Sequence, residues 1–259
     1  MKKKIVILGS SSGMPSVDRS CSSWVLEVSD KNSYLFDCGE GTSFSILRFD
    51  IDYNQINAIF ITHTHSDHLS GLFLLLQMMY LSGREKPLGL YLPEEAITGV
   101  KNFMDLIYLF PEKFPFDLYF QSINQGLFFE SPDLKIIAYP NRHLIANKEI
   151  IEKKGIANKM ESFCLEIYCD DKKIVYSGDL GALEDLEMIS GNADYLLTEC
   201  MHVNLDGLIN LMIKNGVKRA IFTHIPLELE KEKRKIVEKA KMLGFSNLKF
   251  ASDGMIIEL

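Results

Sequence analysis

The run Ile61-Thr62-His63-Thr64-His65-Ser66-Asp67-His68 sets three histidines and an aspartate within six residues, directly behind the apolar stretch Ala58-Ile59-Phe60-Ile61. In extended chain alternate side chains point the same way, so His63 and His65 are expected to leave a strand end on one face and grip one ion together. Asp67 and His68 then fall past the strand, where the backbone turns into a helix opened by Leu69-Ser70-Gly71-Leu72, and are left to face a second ion. A lone histidine is more often a surface or satisfied core residue than a ligand. Four donors of the types that a zinc-class ion selects, gathered in one turn, are poorly explained that way. The spacing also differs from the His-Glu-x-x-His helix of metalloproteases, so the ligands call for an architecture built on strand ends.

The chain has six histidines, and the other three are His143, His202 and His224. His143 follows the strand-like Leu134-Lys-Ile-Ile-Ala-Tyr139, and His224 closes the apolar run Ala220-Ile-Phe-Thr223 as His63 closes its own. Between them Lys173-Ile-Val-Tyr-Ser-Gly-Asp179 delivers a carboxylate at the end of another strand. His and Asp side chains repeatedly placed at strand tips point to one converging site.

In this order the His-x-His-x-Asp-His motif, the lone His143, the Ser-Gly-Asp179 strand and the final Thr-His224 resemble the metallo-β-lactamase superfamily over nearly the whole chain. The amino-terminal run Leu8-Gly9 through Gly13-Met-Pro15 to Arg19-Ser-Cys-Ser-Ser23, with Leu35-Phe-Asp37-Cys-Gly39-Glu-Gly41-Thr42, resembles its tRNase Z and phosphodiesterase branch. The resemblance implies a four-layer αββα sandwich; periodicity alone gives only α/β or α+β.

Seven candidate ligands exceed the four of a tetrahedral zinc site, which favours two ions. By the family pattern His63, His65 and His143 hold the first, Asp67, His68 and His224 the second, and Asp179 bridges. Two divalent ions, zinc or alternatively manganese or iron, share a hydroxide nucleophile and neutralise charge on the reacting phosphate or carbonyl. Asp37 reads either as an acceptor for a ligand His N–H or as a turn residue before Gly39. Protonating a leaving group needs an acid, for which Glu199 and His202 are the available pair; Asp67 is counted with them among the catalytic residues as well as among the ligands. Here the chain departs from the tRNase Z pattern, which has His before the glutamate where this chain has Thr198; His202 either serves instead or is a supporting or surface residue.

Bacterial tRNase Z enzymes of the short type carry a long Gly/Pro-rich arm between the equivalents of His143 and Asp179. Only 36 positions separate those residues here, and two predicted strands occupy much of the span. Leu144 to Glu161, with Lys148, Lys153, Lys154 and Lys159, reads as a solvated helix face or a small basic lid. The function implied is a dinuclear metal-dependent phosphodiesterase acting on a small or cyclic diester or an RNA 3′ end. The alternative is a thioesterase or other acyl hydrolase of the same fold. The aromatic segment from Phe103 to Phe120 reads as a core edge, with a substrate wall or homodimer face as the competing reading. The loop Gly9 to Arg19 is a turn between strands or a backbone cradle for phosphate.

At 259 residues with no linker or repeat, a single domain spanning 1–259 is expected. A net charge of −7, from 28 basic and 35 acidic residues, gives no broad electrostatic hold on nucleic acid. Five cysteines without Cys-x-x-Cys spacing read as reduced thiols in a cytoplasm. Met1-Lys-Lys-Lys4 is not read as a leader because Gly9-Ser-Ser-Ser-Gly13 interrupts the apolar run, and Leu69 to Leu81 is too short to span a membrane.

Overall fold

Stretches rich in β-branched and aromatic residues form fourteen strands in the computed structural model, which describes residues 3–259. The Met1-Lys2 start of the basic run considered above lies outside the described residues. The chain divides into two compact units: one comprises the residues up to Ile123 together with Ser252–Leu259, the other Asn124–Ala251. Each carries one seven-stranded mixed sheet.

In the first unit the order along the chain is β1 (Lys4–Gly9), β2 (Ser23–Ser29), β3 (Asn32–Phe36), α1 (Thr42–Arg48), β4 (Ile56–Phe60), α2 (Ser66–Leu69), α3 (Leu72–Leu81), β5 (Leu88–Pro93), α4 (Glu94–Leu106) and β6 (Leu118–Ile123). The last strand of the chain, β14 (Ile256–Glu258), returns to pair with β1. The sheet order is β14-β1-β2-β3-β4-β5-β6, antiparallel as far as β3 and parallel from β3 to β6. Helix α3 buries Leu72, Leu75, Leu76 and Met79, one stripe at three- and four-residue intervals, in the same apolar cluster as Val25, Leu35, Ile59 and Leu90 of the sheet. Removing that apolar surface from water is the main stabilising term of the unit. Trp24 and Phe36 stack across β2 and β3 with ring centroids 4.1 Å apart.

The second unit contains β7 (Gly126–Glu130), β8 (Lys135–Pro140), α5 (Lys148–Lys154), β9 (Phe163–Cys169), β10 (Lys172–Tyr176), α6 (Glu184–Glu187), β11 (Tyr195–Glu199), α7 (Leu205–Lys214), β12 (Ala220–Thr223), α8 (Lys233–Leu243) and β13 (Leu248–Phe250). Its sheet order is β13-β12-β11-β10-β9-β8-β7, antiparallel from β7 to β10 and parallel from β10 to β13. In both units the candidate donors follow the carboxyl ends of strands, and most of those strands are parallel, where α/β sheets present their functional loops.

Three differences from the expected elements have local causes. Strand β4 stops at Phe60, earlier than the sequence suggests, because the Thr62 N–H is captured by the Asp37 carboxylate instead of a neighbouring strand. The helix expected over Leu69 to Leu81 is broken at Ser70-Gly71, where the Gly71 N–H donates to the Cys38 carbonyl. The aromatic segment, read as a core edge with no strand assigned to it, ends in β6, and its side chains divide: Phe116 is buried, Tyr108 and Tyr119 are exposed.

Candidate functional site

The first unit presents its donors on the segment that follows β4. His63 and His68 are fully buried, Asp67 is buried and His65 is exposed. The His63 ring lies 4.8 Å from that of His65 and 4.1 Å from that of His68, centroid to centroid. His63 and His65 therefore sit together as expected, but on irregular chain beyond the strand. Asp67 and His68 belong to the one-turn helix α2.

One buried carboxylate organises this segment. Asp37, which sits just past β3 with φ of 51°, accepts the Thr62 N–H on Oδ1 at 2.7 Å and the Thr62 hydroxyl at 3.0 Å on Oδ2. Its Oδ2 also lies 2.7 Å from His68 Nδ1. A carboxylate can only accept, so His68 carries a proton on Nδ1, and in the neutral imidazole Nε2 is then the nitrogen with the lone pair. The Thr62 hydroxyl, its proton given to Asp37, accepts in turn from His63 Nδ1 at 3.1 Å. Both imidazoles are thereby held with Nε2 as the donor nitrogen. Asp37 is at once the turn residue and the acceptor that the sequence offered as alternatives.

Glycine makes this packing feasible. A Cβ on Gly39 would lie 2.0 Å from the Asp67 carbonyl oxygen, and one on Gly71 would lie 2.1 Å from the Gly39 carbonyl oxygen. The Ser-rich loop runs alongside: a Cβ on Gly13 would lie 3.7 Å from Asp67 Oδ2. Asp253 fixes both ends of that loop, accepting the Ser10 N–H at 2.9 Å and the Ser20 N–H at 2.7 Å.

The second unit gathers His143, Asp179, Glu199, His202 and His224. Asp179 is reached through Ser177-Gly178, with φ of 54° at Gly178 turning the chain out of β10. Its Oδ2 lies 3.5 Å from His143 Nε2, 3.3 Å from His224 Nε2 and 3.9 Å from His202 Nδ1. His224 itself has φ of 50°, a left-handed conformation that non-glycine residues adopt infrequently, histidine more readily than most, and that clusters at functional sites. Glu199 is fully buried and its Oε2 accepts the N–H groups of Met201, at 2.5 Å, and His202, at 2.8 Å. The Glu199 carboxylate thus holds the turn that carries His202, whose side chain is 32% exposed. Ligand atoms of Glu199, His202 and His224 all lie within 4.8 Å of one another.

Asn141 belongs to none of the sequence motifs, although its place two residues before His143 suits the local turn in which an Asn side chain accepts a backbone N–H. Its Oδ1 accepts the His143 N–H at 3.0 Å, and its Nδ2 donates to the Asp179 carbonyl at 3.0 Å.

Imidazoles with a fixed lone-pair nitrogen, grouped with buried carboxylates, are the chemistry of a divalent metal site. The donor types present, His and Asp in the first unit and His, Asp and Glu in the second, suit such ions, and Glu199, His202 and His224 of the second unit have the spacing to hold one.

A family model described as "Anti-Pycsar protein Apyc1" matches residues 3–214, and the chain belongs to that family. A ribonuclease Z of Prochlorococcus marinus (strain NATL1A) is 35% identical over 149 residues, 55% of this chain and 46% of its own length. The matched chain thus spans about half the length of that relative. A ribonuclease Z of Archaeoglobus fulgidus is 25% identical over 99% of this chain and 97% of its own length. The crystal structure of the metallo-β-lactamase fold protein YhfI from Bacillus subtilis superposes with a TM-score of 0.78 at 19% identity, covering all of both chains. That likeness shows the fold: two mixed sheets flanked by helices in the metallo-β-lactamase α/β sandwich.

Proposed function

We propose that this member of the family described as Anti-Pycsar protein Apyc1 is a metal-dependent phosphodiesterase of a single domain, acting on a small or cyclic diester or on an RNA 3′ end. The observation that carries the reading is the single Asp179 oxygen set 3.5 Å and 3.3 Å from the Nε2 atoms of His143 and His224. Relatives named ribonuclease Z support phosphodiester chemistry.

Under this reading His63, His65 and His143 would hold one ion, Asp67, His68 and His224 a second, and Asp179 would serve both, with zinc as the metal. Bound, the ions supply a nucleophilic water and neutralise charge on the phosphate. The chain's own residues do the rest. Asp37 and Thr62 hold His68 and His63 in the donor tautomer. Glu199 anchors the backbone of Met201 and His202, and the partly exposed His202 imidazole is the group that gives a proton to the departing oxygen.

The small diester is favoured over folded tRNA. Between His143 and Asp179 the chain has α5, β9 and β10 where an arm would be inserted, and a net charge of −7 gives little general attraction for RNA. Five buried thiols support a reducing, cytoplasmic setting. Among the described residues no helix is long and apolar enough to cross a membrane.

The test is turnover of bis(p-nitrophenyl) phosphate, a cyclic nucleotide and an acyl thioester by metal-loaded and chelator-stripped protein. Metal-dependent cleavage of the diesters is expected. Turnover of the thioester alone would move the protein to the acyl hydrolases.

A further inference from the structure

Strands β8 and β10, which lead to His143 and Asp179, are not neighbours, because β9 lies between them in the sheet. The hydrogen-bond ladder therefore does not tie the two donor loops to each other. We propose that Asn141 performs that task as a positioning residue for the metal donors His143 and Asp179, an inference that rests on the metal-dependent reading above.

The buried Asn141 side chain reaches across β9. Its own N–H donates to the Ser162 carbonyl at 2.9 Å, and Nδ2 faces Cys164 Sγ of β9 at 3.6 Å. Its two functional ends are then used in opposite directions: Oδ1 takes the His143 N–H and Nδ2 gives to the Asp179 carbonyl, each at 3.0 Å. A short amide with few rotamers thus fixes the backbone of both donors at once. The outer side of the same junction is clamped independently. Asp185 accepts the N–H groups of Gly181 at 3.0 Å and Ala182 at 2.9 Å, and Arg142 Nε at 3.0 Å. The two loops are in such close contact that a Cβ on Gly181 would lie 2.4 Å from the Arg142 carbonyl carbon. With the outer clamp intact, loss of Asn141 leaves the loops joined while the His143 N–H and the Asp179 carbonyl, both at the donor ends, lose the bonds that Asn141 makes to them.

Asn141 acts through the donors and not on substrate or ion. Partners that orient metal ligands typically change metal affinity by about 10–100-fold when removed. The experiment measures zinc affinity of the full chain by competition with a chromogenic chelator, beside thermal unfolding of the metal-stripped chain. Asn141→Ala is expected to lower affinity within that range. Asn141→Asp retains the acceptor for the His143 N–H but sets a carboxylate oxygen against the Asp179 carbonyl, and is expected to lose affinity as well. If Asn141→Ala is insoluble, Asn141→Asp carries the test alone. Tyr139→Phe, which removes a hydroxyl bonded to Glu166 at 2.8 Å on the same strand β8, is expected to change stability and leave affinity unchanged. Unchanged affinity in the Asn141 variants, or an equal loss in Tyr139→Phe, would overturn the proposal. A wild-type chain that takes up no divalent ion would overturn the metal-dependent reading beneath it.

Discussion

The Asp37 carboxylate lies 2.7 Å from Nδ1 of His68, both residues fully buried, and the same carboxylate accepts the N–H and hydroxyl of Thr62. A single acid therefore sets the tautomer of one candidate ligand and the backbone path leading to another. Its φ of 51° is one that asparagine adopts readily, so Asp37→Asn changes charge and acceptor capacity with little backbone strain. Zinc affinity is expected to fall about 10–100-fold while the chain stays folded. Asparagine matching aspartate in a metal-competition assay would show that His68 is not oriented in this way.

Asp179 and His202 should separate by role. Asp179→Ala removes the oxygen near both His143 and His224, so hydrolysis is lost and both ions loosen. His202→Ala should slow turnover about 10²–10⁴-fold with metal content retained, as expected of a proton donor. Metal and turnover are to be measured on the same preparations; loss of metal from His202→Ala would make that residue a ligand or its support.

Close approach makes Gly39 irreplaceable. An added methyl would meet the Asp67 carbonyl oxygen at 2.0 Å and Cys21 Cβ at 2.7 Å, and backbone cannot yield as a flexible side chain can. Gly39→Ala should destabilise by about 1–3 kcal/mol or more and disturb the Asp67 turn. Gly99→Ala in α4, where nothing lies within 4 Å, should instead stabilise, by about 0.5–1 kcal/mol. Equal melting temperatures for the two variants would contradict the packing described for the Gly39 loop.

Acid stability should depend on Glu166. Burial pushes its carboxyl upward, but the Lys173 ammonium at 2.6 Å and the Tyr139 and Tyr168 hydroxyls hold it below the usual range. A carboxyl depressed in the folded state contributes stability that is present above its unfolded pKa, about 4.3, and is lost as pH falls through the folded value. Unfolding free energy should therefore decline as the medium is acidified below about pH 4, and Glu166→Gln should flatten that decline. Urea midpoints across the acid range check this, and an unaltered slope in Glu166→Gln would count against it.

Precursor tRNA should be a poor substrate. Folded tRNA needs an extended basic surface whose phosphate contacts make affinity fall with salt. Arg142, the cation directly before His143, is already paired with Asp185 at 3.0 Å and Glu184 at 3.2 Å. Efficient, salt-sensitive 3′ trimming would overturn this expectation.

What the sequence reveals here, and what it hides, divides along contact range. His63 to His68 are legible because four donors fall within six residues of one another, and Thr223-His224 because an apolar run ends in a polar pair. The end of β4 is not legible, since it depends on Asp37, 25 residues away from Thr62. The break before α3 likewise depends on Gly39 and Cys38 packing against Gly71. Strand β14 has three residues and forms only because β1, at the other end of the chain, is there to receive it. For Asn141 the hydrogen bond to His143 follows a local turn pattern, whereas its bond to the Asp179 carbonyl spans 38 positions and has no local signature.

The most direct test of the central claim is a zinc titration of chelator-stripped protein, following hydrolysis of bis(p-nitrophenyl) phosphate. Donor sets that exceed one tetrahedral ion predict that turnover rises from near zero and saturates at about two ions per chain. Saturation at a single ion, or full turnover without added metal, would contradict the dinuclear account.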